Sequence, residues 1–184
     1  FLNNDLSAPA DAPRFKRMIS TFPTRPLHGV SGNHRRDVWA VGDAGTILHW
    51  DGAAWSEVRY RPVGAQTDKV PDLRSAWGDG QAGVWIAGTM GSLSHCTATP
   101  APLHCLDIPT GTAEDLRTLW GSPQCPPSGC DDRRVFVGGD ANTLLTCSRS
   151  GCSPTPGLGL GGQNFNINAI WGKHNGDLWL VGAL

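Results

Sequence analysis

The chain of 184 residues is 39% hydrophobic and 17% charged, the make-up of a globular protein with a packed core. Its 15 basic and 16 acidic residues leave a formal net charge of −1, which excludes both the basic footprint of a nucleic-acid binder and an acidic solvating tail. With 24 glycines, 14 prolines and no long 3.6-residue period, it points to an all-β fold, and no apolar run approaches the length of a membrane-spanning helix.

In chain order, residues 1–26 are rich in Ala, Pro, Asn and Asp and read as a linker, with one candidate strand over Phe15–Phe22. Residue 1 is Phe with no charged and apolar leader, so a signal peptide or a surface anchor is expected to have been removed or to lie outside this sequence. From Asp37 to Trp50 the chain reads as strand, tight turn, strand. Asp37, Trp39 and Val41 alternate with Val38 and Ala40, and because both sets are largely apolar or small, the strand is expected to be covered on both faces. Gly42-Asp43-Ala44-Gly45 supplies glycine where a hairpin needs positive φ, and Thr46-Ile47-Leu48 returns as the next strand.

This unit recurs. Val84-Trp85-Ile86-Ala87-Gly88 with Thr89-Met90-Gly91-Ser92-Leu93 is a second copy, and Val135-Phe136-Val137-Gly138-Gly139 with Asp140-Ala141-Asn142-Thr143-Leu144 is a third. Leu178-Trp179-Leu180-Val181-Gly182 begins a fourth. The third copy carries Asn142 where the others carry Gly45 and Gly91, and Asn is the non-glycine residue that best tolerates the left-handed region, so backbone geometry selects this position. Upstream of each copy lies a short strand with a Trp-Gly end: Leu73 to Gly78, Leu116 to Gly121, Ile167 to Gly172, and a weaker version, Leu27 to Gly32, in which Ser31 replaces Trp.

Gly32, Gly78, Gly121 and Gly172 mark a period of about 40 to 50 residues, the range of four-stranded propeller blades. The expected architecture is an all-β propeller of four-stranded antiparallel blades over 27–61, 73–108, 116–156 and a truncated 167–184, about three and a half blades of an incomplete ring. A sheet ending at its second strand leaves an open edge, so a longer protein is expected to carry the rest. Phe15–Phe22 falls at the outer-strand position of a preceding blade, where a terminal segment would close the ring; the other reading is plain linker.

Six cysteines carry the most chemistry. On the repeat, Cys147 and Cys152 fall on the places of Trp50 and Trp55, which face each other across a hairpin, and Cys96 and Cys105 flank the same hairpin in the second blade. Each pair is expected to be a disulfide that replaces an aromatic contact, and Cys125 with Cys130, in CPPSGC, a third staple within an inserted loop. Three local disulfides imply an oxidising compartment: secreted, periplasmic or outer cell surface. The rival reading is a metal site built on His95-Cys96 and His104-Cys105. Adjacent strand residues point to opposite faces and close C-x-x-C spacing is missing, so no metal or cofactor is expected. His49 stands at the place of His95 in a blade without cysteines, which assigns that position a structural role.

Ligands of such a fold are expected on the face made by the turns between second and third strands and by the blade connections: Asp43, Met90 and Asp140, with Arg61 to Pro71, Pro109 to Asp115 and Ser153 to Asn166. Asp43 and Asp140 could hold a cation or a sugar hydroxyl, although Asp in such places more often satisfies turn amides. Arg36 and Arg133, at matching positions before the second strand, read as solvated edge charges. No nucleophile, base and orienter can be assembled: Tyr60 is the only tyrosine, the carboxylates are scattered, and no Gly-rich phosphate loop opens a helix, so catalysis is not expected.

Through its Trp-Gly and Val-Trp-Ala-Val-Gly motifs, Leu27 to Leu184 resembles a propeller repeat of secreted proteins and lipoproteins of myxobacteria and related bacteria, and is similar to photosystem II assembly-factor and sialidase-like (BNR, Asp-box) propellers. Trp50-Asp51-Gly52-Ala53-Ala54-Trp55 is similar to an Asp-box turn, but Asp51 stands one residue too close to Trp55, and His49 occupies the Ser or Thr place. No position matches the arginines or the nucleophilic Tyr of sialidases. The resemblance implies fold and surface location, and transfers no activity. The expected function is an extracytoplasmic binding or scaffold module that recognises protein or glycan through blade-connecting loops. The alternative is a sialidase-like or other glycan-acting hydrolase whose catalytic residues lie outside this sequence.

Overall fold

A computed structural model describes residues 2–3, 16–17, 25–59, 70–80, 83–97, 104–122, 134–155, 163–174 and 177–184. The expected Cys125–Cys130 bridge, Tyr60, Arg133 and all of Phe15–Phe22 except Lys16 and Arg17 lie outside those residues. Every regular element among the described residues is a strand. β1 (Leu2–Asn3) pairs with β2 (Lys16–Arg17). The first four-stranded sheet is β3 (Leu27–His34), β4 (Asp37–Gly42), β5 (Thr46–Trp50) and β6 (Trp55–Arg59). The second is β7 (Leu73–Gly78), β8 (Gly83–Gly88), β9 (Leu93–Thr97) and β10 (His104–Asp107). The third is β11 (Leu116–Gly121), β12 (Val135–Gly139), β13 (Leu144–Ser148) and β14 (Gly151–Pro154), and a two-stranded sheet, β15 (Asn166–His174) with β16 (Asp177–Ala183), follows. Each sheet is an antiparallel meander in sequence order, the pairing that short hairpin connections permit.

The sheets stack face to face, and each pair encloses its own core. Trp39, Val41 and Ile47 of the first sheet meet Leu73, Val84, Ile86 and Cys96 of the second. Trp85, Ala87 and Leu93 of the second meet Leu116, Leu119, Val135 and Val137 of the third. Trp120, Phe136 and Leu144 of the third meet Ile167 and Ile170 of the fourth. Strand β8 is accordingly buried at every residue, whereas β16 alternates between exposed and half-buried over residues 177–181. Full burial of an indole such as Trp39 removes enough apolar area for about 4–6 kcal/mol of gross transfer free energy, so these tryptophans dominate the sheet-to-sheet contacts.

Inner strands β3, β7, β11 and β15 adjoin one another in that order, and their Trp-Gly ends explain the motif. A Cβ on Gly121 would lie 2.5 Å from the Trp77 ring, and one on Gly172 would lie 2.8 Å from Trp120. Each tryptophan thus rests on the glycine of the next sheet. Where Ser31 replaces Trp, Asn33 fills the space over Gly78, and the Ser31 hydroxyl accepts the Gly78 amide at 2.9 Å.

The cross-strand exchange of tryptophans for cysteines is present. Trp50 is paired with Trp55, Cys96 with Cys105 and Cys147 with Cys152, and both cysteine pairs are disulfides.

The turns between second and third strands are two-residue type I′ turns, closed by Thr46 N to Asp43 O at 3.1 Å, Ser92 N to Thr89 O at 3.2 Å and Thr143 N to Asp140 O at 2.9 Å. The left-handed position expected at Gly45, Gly91 and Asn142 is observed, with φ of 66°, 66° and 63°. Ala44, Met90 and Ala141 before them are also left-handed, at 49°, 59° and 49°, because a type I′ turn demands positive φ at both central residues.

Candidate ligand-binding face

The inner strands place one polar residue per sheet beside these turns: His28, Arg74, Arg117 and Asn168, each directly after the first large apolar residue of its strand. His28 Nε2 lies 2.6 Å from Asp43 Oδ1 and 2.9 Å from Arg74 Nη1. Asp43 only accepts and Arg74 only donates, so the single Nε2 position serves one of the two at a time, while Arg74 also reaches Asp43 at 3.5 Å and Asp72 at 3.4 Å. Arg117 grips Asp140 with both Nε and Nη2, the second bond being 3.1 Å long. Its hydrogen bonds to Asp140 raise the Arg117 guanidinium above its ordinary value.

Asp43 and Asp140 therefore bind side chains of inner strands. The amide of the first central turn residue is taken instead by the sheet that follows: Ala44 N by Asp72 Oδ1 at 2.9 Å, Met90 N by Asp115 Oδ1 at 3.0 Å and Ala141 N by Asn166 Oδ1 at 3.1 Å. The second amide goes to the backbone just upstream, Gly45 N to Pro71 O, Gly91 N to Glu114 O and Asn142 N to Phe165 O, each at 2.9 Å. This double clasp repeats at each of the three sheet junctions.

Arg74, Asp115, Arg117 and Asn168 line a cleft of about 440 Å³ on this face. Both arginines are partly exposed, and each guanidinium has five donors, more than its carboxylate partners occupy. The cleft can therefore receive planar acceptors such as carboxylates or peptide carbonyls. Met90, 43% exposed, adds an apolar contact to the same face.

No family model matches the chain, and no curated protein matches it. Among solved structures it is similar to one of YCF48 bound to D1 peptide, with a TM-score of 0.52 and 15% sequence identity. The match covers 92% of this chain and 50% of that one, so the chain spans about half the length of the structure it matches.

The fold is that of a β-propeller.

At the opposite end of the propeller's inner strands, Asn33, Trp77, Asp79, Trp120, Trp171 and Lys173 border a second hollow of about 530 Å³. Close to it are two hydrogen-bond clusters. Asp37 accepts Trp39 Nε1 at 2.8 Å, His49 Nε2 at 2.7 Å and Asn33 Nδ2 at 2.5 Å. In the second blade Asp79 accepts His95 Nε2 at 2.9 Å and the Gly83 amide at 3.0 Å, with Arg149 at 3.8 Å. The structural role expected for the position shared by His49 and His95 is thus met by a buried carboxylate in each blade. Asp37 opens β4 whereas Asp79 precedes β8 in the connection, and this lack of register hid the second partner from the repeat alignment. Arg36, expected as a solvated edge charge, is exposed and lays its side-chain stem beside Gly52.

The clasp residues Asp72, Asp115 and Asn166 share a sequence signal. Each stands immediately before the first apolar residue of an inner strand, in DLRSAWG, DLRTLWG and NINAIWG.

Proposed function

We propose that this propeller is an extracytoplasmic module that binds a protein or peptide segment on the face carrying Asp43, Met90 and Asp140, with the cleft of Arg74, Asp115, Arg117 and Asn168 as the recognition site. The observation that carries the proposal is that cleft: the Arg74 and Arg117 guanidiniums with spare donors, the Asn168 amide and the Asp115 carboxylate, on or directly beside rigid inner strands. A carboxylate-bearing peptide matches it better than a polyhydroxylated glycan, because guanidinium forks pair with carboxylates in bidentate fashion. The similar structure of YCF48 holds a D1 peptide, which supports a peptide as the ligand class. The disulfides Cys96–Cys105 and Cys147–Cys152 support an oxidising compartment, and among the described residues no helix is long and apolar enough to cross a membrane.

The test is an array of acidic, neutral and basic peptides, in free-acid and amidated forms, printed beside a glycan array and probed with the disulfide-bonded protein. Acidic or free-acid peptides are expected to bind, and Arg74→Gln or Arg117→Gln to weaken them about tenfold or more, since a charge-assisted contact contributes about 1.5–3 kcal/mol. Selective binding of glycans, or of peptides with no response to either substitution, would overturn the proposal.

A further inference from the structure

The clasp between blades asks only for an oxygen. Asp72 Oδ1, Asp115 Oδ1 and Asn166 Oδ1 accept the amides of Ala44, Met90 and Ala141 at 2.9, 3.0 and 3.1 Å, so a neutral amide does at the third junction what carboxylates do at the first two. The negative charge on Asp72 and Asp115 therefore has another use. For Asp72 that use is Arg74, two residues further on, whose Nη2 lies 3.4 Å from Oδ2.

Asp115 differs. The arginine two residues further on, Arg117, is held by Asp140, which takes both its Nε and its Nη2. Among the described residues Asp115 Oδ2 accepts no hydrogen bond. The charge of Asp115 reaches Arg117 only through space, a smaller cause of that guanidinium's raised value than the Asp140 hydrogen bond. Asp115 is nevertheless half-buried and lines the cleft with Arg74, Arg117 and Asn168. A carboxylate partly withdrawn from water, with one oxygen unengaged, attracts a cation more strongly than it would in bulk solvent.

The charge balance of the face points the same way. Arg74 and Arg117 stand beside Asp43, Asp72, Asp115 and Asp140, two guanidiniums against four carboxylates, of which Asp43 also contacts His28. A purely acidic ligand gains the guanidinium bonds but meets a surplus of like charge. At the third junction the equivalent pair is Asn166 and Asn168, so acid and base are replaced together.

We propose that Asp115 is a specificity-determining residue of this cleft and pairs with a positive charge on the ligand, which is then a peptide segment carrying a basic side chain beside the acidic one held by the arginines. The inference rests on the peptide reading of the cleft and adds a second charge to it. Side chains two positions apart lie on one side of an extended chain, so a Glu-x-Lys segment presents both charges together.

Titration calorimetry of the disulfide-bonded protein with two terminally blocked peptides tests this: one holding Glu-x-Lys, the other the same sequence with the lysine acetylated, which removes the ammonium charge. Acetylation is expected to weaken binding to the unsubstituted protein about fivefold or more. It is expected to have no effect on binding to Asp115→Asn. That variant copies Asn166, so its amide oxygen can keep the Met90 clasp, and thermal melting checks that it folds. Should it not fold, carboxyl-carbon resonance of Asp115 in the unsubstituted protein replaces it, with a shift expected for the lysine peptide and none for the acetylated one. Arg117→Gln is expected to weaken both peptides.

Equal binding of the two peptides, a loss on acetylation that persists in Asp115→Asn, or an Asp115 resonance indifferent to the lysine would overturn the role of Asp115. The carboxylate reading survives those outcomes as long as Arg117→Gln weakens both peptides. If neither peptide binds, or Arg117→Gln changes neither, the carboxylate reading itself fails and this inference falls with it.

Discussion

Ala44, Met90 and Ala141 hold left-handed backbone at the first turn position, a conformation that costs an L-residue about 1–2 kcal/mol relative to glycine. The Asp72, Asp115 and Asn166 side chains bond the amides of these same residues, so the next blade compensates the strain. Ala44→Gly relieves it while adding about 0.5–1 kcal/mol of unfolded-chain entropy, and urea unfolding should show a net gain of about 0.5–1 kcal/mol. A loss instead would mean that Ala44 makes a contact outweighing its strain. Gly91→Ala should destabilise, since its Cβ would collide with the Thr112 carbonyl. On the outer hairpin, Asp51 accepts the amides of Ala54 and Ala53, both at 2.8 Å, and these hold its carboxyl below the ordinary range. The sign follows: this contribution is complete above the ordinary carboxylate pKa and is lost as pH falls through the lowered folded value.

Among the strands, the hairpins that end the first three blades solve one packing problem in two ways. Trp50 and Trp55 lie with ring centroids 5.8 Å apart, while the equivalent positions in the next two blades are bridged by sulfur. The bridges span 9 and 5 residues of sequence, and loop-closure entropy assigns them roughly 2–3 kcal/mol each, the longer slightly more. Replacing Cys147 and Cys152 together by serine should lower the unfolding free energy by about 2 kcal/mol in urea titrations. Cys96 and Cys105 replaced together should cost a little more, because that bridge closes the longer loop. Equal stability with and without either bridge would show that the hairpins are held by strand pairing and packing alone.

Over the whole molecule, the cores are serial. Each blade packs on its sequence neighbours, so stability resembles a sum of blade and junction contributions. Trp39→Ala empties the centre of the first junction and should cost about 3–5 kcal/mol. Hydrogen exchange should then accelerate in β3–β6 and β7–β10 while β11–β14 stays protected. Uniform acceleration across all three blades would show that the propeller unfolds as one unit.

What the sequence determined by itself was everything written in short range. Strand alternation, the turn glycines, the 40-to-50-residue period of about one blade and the Trp-or-Cys exchange all arise within a hairpin, where chain connectivity sets which residues meet. They suffice for the propeller, its blade order and two disulfides. The tertiary structure alone decided the contacts between blades. His28, Arg74 and Asp43 converge from two blades, Asp72 reaches back to Ala44, and Trp120 settles on Gly172. Such pairs depend on how one sheet is rotated and stepped against the next, a quantity that no single repeat encodes. Asp37 and Asp79 show the same limit, because equivalent histidines in two blades found carboxylates at unequal places in the chain, chosen by proximity in space rather than by register.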